Sequence, residues 1–176
     1  VVRGETIPAV DELRNACAAL MEDFHEKAPR CALAADAGVS ALVDMASRCG
    51  AALHEALERL VTRAGGEYVH GPQKAAERIA EKAKNDYDGD VARVVDVERA
   101  TGLFDSLEDL NAAVSVLREA SGDGSLTIRR FKDCFFTEKI KGGYRDLKLN
   151  VEVSGFVGEL QLNLRRIKTV KDHAHK

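Results

Sequence analysis

Paired cysteines, long apolar runs and tryptophan are all missing from this 176-residue sequence. No stretch approaches the ~20 apolar residues that a bilayer-spanning helix needs, which argues against a membrane protein. The sequence opens on Val1 without a charged-then-apolar leader, as an excised or processed piece would. Cys17, Cys31, Cys49 and Cys134 are scattered with no C-x-x-C pair. Zinc spacing is therefore absent, a disulfide framework is not expected in a chain of this size, and reduced thiols in a cytoplasmic setting are. His25, His54 and His70 are isolated, and His173 and His175, two apart, would face different directions on a helix. The acidic turn Asp86-Tyr-Asp-Gly-Asp90 lacks the remaining ligands and the distal Glu of a calcium loop. No internal repeat or low-complexity tract is visible.

The composition, 45% hydrophobic and 31% charged, is that of a globular chain, long enough for one domain or a domain with a helical extension. Charge is unevenly spread. Residues 1–124 carry 14 Lys/Arg against 23 Asp/Glu, whereas residues 125–176 carry 12 against 6. A basic second part suits a phosphate-bearing ligand, although a solvated basic surface has the same signature.

Helical periodicity runs over residues 9–24 and 38–64, where Leu42, Met45, Ala46, Cys49, Leu53, Leu57 and Leu60 recur every three or four positions. Gly65-Gly66 ends the second helix, and the turn His70-Gly-Pro72 follows. Residues 73–85 read as another amphipathic helix, with Lys74, Arg78 and Lys82 near one face. The Val-rich stretch 91–104 reads as a strand bearing Asp96, with Glu98 on the same face as a possible third carboxylate. Ser106 is the expected N-cap of a helix over 107–120, with Glu108 and Asp109 in its first turn. A strand over 125–133, a loop over 134–143, two strands joined at Ser154-Gly155, and a helix over 165–175 complete the order.

The two last strands are the most informative. Leu147, Leu149, Val151 and Val153 alternate with Tyr144, Asp146, Lys148 and Asn150; Leu160, Leu162 and Leu164 alternate with Glu159, Gln161 and Asn163. One face rests on a core, and the other is either a solvated sheet face or the floor of a polar site. The order predicts an α+β fold: several helices, then β-α-β-β-β, then a helix, with a mixed sheet of about five strands flanked by helices.

Four segments in order resemble the synthetase domain of the RelA/SpoT family. Val94-Val-Asp-Val-Glu-Arg-Ala-Thr101 is similar to its Asp-bearing strand, and Arg129-Arg-Phe-Lys-Asp133 to its Arg-x-Lys-Asp stretch. Gly142-Gly-Tyr-Arg145 and Glu159-Leu-Gln-Leu162 resemble its tyrosine segment and its Glu-Ile-Gln strand. The resemblance implies a nucleotidyltransferase-like sheet over residues 67–176, preceded by a helical segment over 1–66 that packs on it or regulates it. It also implies a pyrophosphokinase that moves pyrophosphate from ATP to the ribose 3′-hydroxyl of a purine nucleotide, making a ppGpp- or ppApp-type alarmone. A toxic relative acting on the 3′ end of tRNA, and a degenerate nucleotide- or RNA-binding module, remain the alternatives. Residues 1–65 lack the His-Asp pair of the family's hydrolase domain, so alarmone degradation is not expected.

Such chemistry needs magnesium held by carboxylates, cations on the phosphates and an aligned nucleophile. By the resemblance, Asp96 and Glu159 hold Mg2+, and Lys74 and Lys82, with Arg78 between them, contact the donor ATP. Tyr144 stacks on the acceptor base, beside Arg145, Lys148 and Gln161. Arg129, Arg130 and Lys132, with Lys139 and Lys141 beyond, would clamp nucleotide phosphates or an RNA backbone. Phe135 and Phe136 are either stacking aromatics or core. The sequence departs from the family pattern in three places. Gln73 precedes Lys74 with Pro72 displaced by one, Lys148 stands where many members carry His, and Asn163 where many carry Arg.

Overall fold

The computed structural model describes residues 7–124, 126–136 and 145–167. Two helices open it, α1 (Ile7–Asp23) and α2 (Val39–Arg63). Gly65, at φ +79°, turns the chain out of α2 into the short strand β1 (Glu67–His70). Helix α3 (Ala76–Asp86), a 3-10 turn (Val91–Arg93), β2 (Arg99–Phe104) and α4 (Leu107–Gly122) follow. The meander β3 (Thr127–Asp133), β4 (Leu147–Val153) and β5 (Phe156–Leu164) completes the sheet.

The five strands lie in the order β1-β2-β5-β4-β3. Only the β2–β5 pair is parallel, so the sheet is mixed, as expected. Alternation dictates its two faces. Leu147, Leu149, Val151, Leu160, Leu162 and Leu164 are buried against Leu53, Leu57, Leu110, Val114 and Leu117 of α2 and α4 in one hydrophobic core. Leu13, Cys17 and Leu20 of α1 join the same core. Gly158 lets α2 approach the sheet: a Cβ there would overlap Leu53 and lie 3.1 Å from the Glu98 carbonyl. The opposite face keeps Lys148, Glu159 and Gln161 for a cleft.

Local chemistry fixes the ends. Ser106 Oγ accepts from Asp109 N at 3.0 Å and caps α4. Ser154 and Gly155, at φ 51° and 80°, form the tight turn between β4 and β5, both with the positive φ that matches strand twist.

Several expectations are corrected. The sheet gains β1, a four-residue edge strand too short to show alternation. Residues 91–98 are not strand. Asp90 Oδ1 accepts from Ala92 N and tightens a 3-10 turn, while Val91, Val94, Val95 and Val97 are valines of the core rather than of a ladder. The third helix starts at Ala76, not at residue 73, because Lys74 N donates to the Val97 carbonyl at 2.9 Å and holds the chain extended. Among the described residues no helix is long and apolar enough to cross a membrane.

Candidate active site

The strand register places the polar side chains in two rows across the sheet. One row runs Arg130, Asn150, Glu159, Arg99 from β3 to β2, and the next runs Lys132, Lys148, Gln161, Thr101. Seven of these eight residues, all but Thr101, line a cleft of about 350 Å³ that Lys82, Tyr87, Val95, Asp96 and Cys134 close. The cleft thus brings two carboxylates, Asp96 and Glu159, among five cations: Lys82, Arg99, Arg130, Lys132 and Lys148. A second cleft of about 310 Å³, lined by Lys74, Arg78, Glu81, Lys82, Asn85 and Asp86, shares Lys82 with the first.

Asp96 sits between two ammonium groups. Lys82 Nζ donates to its Oδ2 at 2.8 Å, and Lys74 Nζ lies 3.3 Å from the same oxygen. Burial alone would raise the Asp96 carboxyl, but the bonds and charges of Lys82 and Lys74 outweigh it and hold the group below its ordinary range. Burial pulls the Lys82 ammonium down, and the bond to Asp96 with the nearby charges of Asp96 and Glu159 more than reverses this. Both groups therefore stay charged at neutral pH. Glu159 Oε1 accepts from Gln161 Nε2 at 2.7 Å, and Arg130 Nε donates to Asn150 Oδ1 at 2.9 Å.

Two buried polar atoms in the cleft have no hydrogen-bond partner among the described residues: Asp96 Oδ1 and Arg99 Nε. An unpaired buried group is costly unless a ligand completes it. The carboxylate oxygen suits a hard divalent cation, the guanidinium an anion. Mg2+ is commonly held by one or two carboxylates plus substrate phosphates, and the donor set of Asp96 and Glu159 fits it.

Of the residues expected at the site, Asp96, Glu159, Lys82, Arg130, Lys132, Lys148 and Gln161 meet in the first cleft. Lys74 and Arg78 line the second, although the Arg78 guanidinium is paired with Glu81. Lys74 reaches Asp96 from the extended segment before α3 rather than from the helix itself. Arg145 is half-buried ahead of β4 and does not line either cleft. Tyr144, Lys139 and Lys141 lie outside the described residues. Arg129 is turned from the cleft and held by Glu26 and Glu152, because the bulge between Ile128 and Arg130 breaks the register there. Glu98 does not share a face with Asp96. In this irregular segment the i, i+2 rule fails, and Glu98 is buried against His54. Asn163 is fully buried in β5, and Phe135 packs in the core with Phe136 beside it. Arg99 and Tyr87 escaped the sequence reading. Arg99 is the first residue of β2, three past Asp96, and Tyr87 stands in the acidic turn after α3 with Arg93 over its ring.

No protein-family model and no curated protein sequence matches the chain. Among solved structures it is similar to the Type VI effector Tas1, determined with its immunity protein. The identity is 24% over 72% of this chain and 59% of that one, with a TM-score of 0.51. It is also similar to smu.1046c from Streptococcus mutans, at 14% identity over 76% of this chain and 73% of that one, with a TM-score of 0.51. Small alarmone synthetase 1 from Bacillus subtilis, bound to its product pppGpp, matches at 19% over 61% and 59%, with a TM-score of 0.49. The chain therefore spans about three-fifths of the length of Tas1 and of the synthetase it matches. What is shared at these identities is the fold, and it is the RelA/SpoT-like fold.

Proposed function

We propose that this chain transfers a pyrophosphoryl group from ATP, with Mg2+, to the ribose 3′-hydroxyl of a purine nucleotide. The observation that carries the reading is the first cleft: two carboxylates set among five cations over one sheet face, with Asp96 Oδ1 unpaired among the described residues. A simple anion site would need no carboxylates, and a simple cation site would not surround them with guanidinium and ammonium groups.

In this reading, residues 67–176 carry the chemistry and the N-terminal helices brace the sheet from its apolar side. ATP lies along Lys74, Arg78 and Lys82, with Lys74 and Lys82 exchanging Asp96 for its phosphates. Asp96 and Glu159 would hold Mg2+, which would supply positive charge against the negative charge that develops during transfer. Arg99, Arg130, Lys132 and Lys148 bind the phosphates of the acceptor, as ammonium point charges and guanidinium forks. Tyr144 would stack on the acceptor base, with Arg145 next to it in the sequence. The acceptor's 3′-oxygen attacks the β-phosphorus, the bond from that phosphorus to the α-phosphate oxygen breaks, AMP leaves, and the hydroxyl proton is released. Positioning and electrostatics do most of this work, supplied by residues of β2 to β5, of α3 and of the segments that flank them.

The test is an acceptor panel: GDP, GTP, AMP, ADP, ATP and tRNA, each with ATP and Mg2+, products separated by chromatography. A 3′-pyrophosphorylated purine nucleotide is expected. Product on tRNA alone, with a steep salt dependence, would move the acceptor to RNA. No product with any acceptor would refute the reading.

A further inference from the structure

Histidines that stand apart in the sequence meet in the fold. The rings of His54, on α2, and His70, at the end of β1, stack with centroids 3.6 Å apart and planes 16° apart. His54 Nε2 lies 2.9 Å from Glu98 Oε2, and His54 Nδ1 lies 2.5 Å from the Tyr68 hydroxyl. One ligand atom from each of His54, His70 and Glu98 falls within 4.8 Å of the others. His54 and Glu98 are buried, at 8% and 6% exposure, whereas His70 is open to solvent.

We infer that His54, His70 and Glu98 form a zinc site on the helix-covered side of the sheet, open to solvent at a fourth position and separate from the cleft. Two imidazoles and one carboxylate are a donor set that suits Zn2+ rather than Mg2+, which prefers oxygen alone. Bonds of about 2.0–2.1 Å place tetrahedral ligands about 3.4 Å apart. The buried pair lies at 2.9 Å and all three ligand atoms fall within 4.8 Å, so binding needs the exposed His70 ring to move inward. Tyr68 supplies the outer partner. Its oxygen can accept from His54 Nδ1–H, the tautomer that leaves Nε2 as the metal-binding nitrogen. A purely structural His–Glu pair would have no use for a second, exposed imidazole laid over the first.

The site would clamp α2, β1 and the segment between the 3-10 turn and β2. The Glu98 carbonyl accepts from Glu159 N at 3.0 Å, so zinc here would brace the backbone that carries a cleft carboxylate.

Metal-free protein is titrated with Zn2+ against a chromophoric chelator, in excess Mg2+, and its melting temperature is followed. One equivalent of zinc should bind and raise the melting temperature. His70→Ala, at an exposed position that should fold as wild type by circular dichroism, should abolish it. Glu98→Gln should do the same, and Tyr68→Phe should weaken binding about 10–100-fold. No zinc bound at micromolar concentration would overturn the inference, as would binding that His70→Ala leaves unchanged, which would place the metal elsewhere. The readout is binding, so its outcome is independent of whether the chain transfers pyrophosphate.

Discussion

Asp96→Asn removes a negative charge from between two ammonium groups, at 2.8 Å and 3.3 Å, while keeping the shape of the side chain. The three side chains are 14–29% exposed, so solvent screens them only partly. Hydrogen bonds to charged groups contribute about 1.5–3 kcal/mol each, and the Asn oxygen retains a neutral version of them. A net loss of about 2 kcal/mol is therefore expected, which for a chain of this size lowers the melting temperature by about 4–8 °C. The pH dependence has a definite sign. Lys82 and Lys74 hold the native Asp96 carboxyl below its unfolded value of about 3.9, despite the opposing effect of burial. The stabilisation is thus complete above that value and lost as pH falls through the lower native one. Thermal melts of both proteins without magnesium should differ by a constant amount from pH 5 to 8 and converge in acid below about pH 4. Turnover with Mg2+ should fall far more than stability, because a lost metal oxygen costs several kcal/mol in the transition state. Equal melting temperatures at pH 7, or a gap that persists in acid, would refute the ion-pair reasoning. Turnover within about tenfold of wild type, near 1.4 kcal/mol, would remove Asp96 from the reaction.

Lys74→Ala and Lys82→Ala should each raise the KM for ATP without changing which acceptor is used, read from initial rates across the acceptor panel; unchanged ATP kinetics in both would make the second cleft a solvated basic surface. Gly158→Ala drives a methyl group into Leu53 and toward the Glu98 carbonyl. Overpacking of this kind costs about 1–3 kcal/mol, so denaturant unfolding should show a lowered midpoint with an unchanged slope. Tyr144→Ala should weaken acceptor binding by about 1–3 kcal/mol and spare ATP, as separate titrations would show.

Much of the sheet was legible because burial writes a period of two. Leu147 to Val153 and Leu160 to Leu164 alternate since one face meets α2 and α4, and the same alternation set Lys148, Glu159 and Gln161 on the other face. The capping serine and the Ser154-Gly155 turn carry their own local chemistry and were equally readable. The stretch around Asp96 misled for a physical reason. A run of valines signals burial, and burial here is met by a 3-10 turn and an irregular segment whose carbonyls bond to Lys74 and Glu159. That irregularity turned Glu98 to the opposite side. Arg129 and the pairing of His54 with His70 depended on contacts distant along the chain, to Glu26 and across α2 and β1, that no local pattern encodes. Arg99 gave no signal of its own; only the register beside Glu159 shows that it belongs with the cleft.

Pyrophosphate transfer differs from phosphate transfer in what remains of the donor. With ATP labelled at the β-phosphate and a purine nucleotide acceptor, the protein should release AMP and move the label to the acceptor in equal amounts. Glu159→Gln should fold normally and do neither. Release of ADP instead of AMP, label that stays with the donor, or a Glu159→Gln variant as active as wild type would contradict the assignment of the cleft to this reaction.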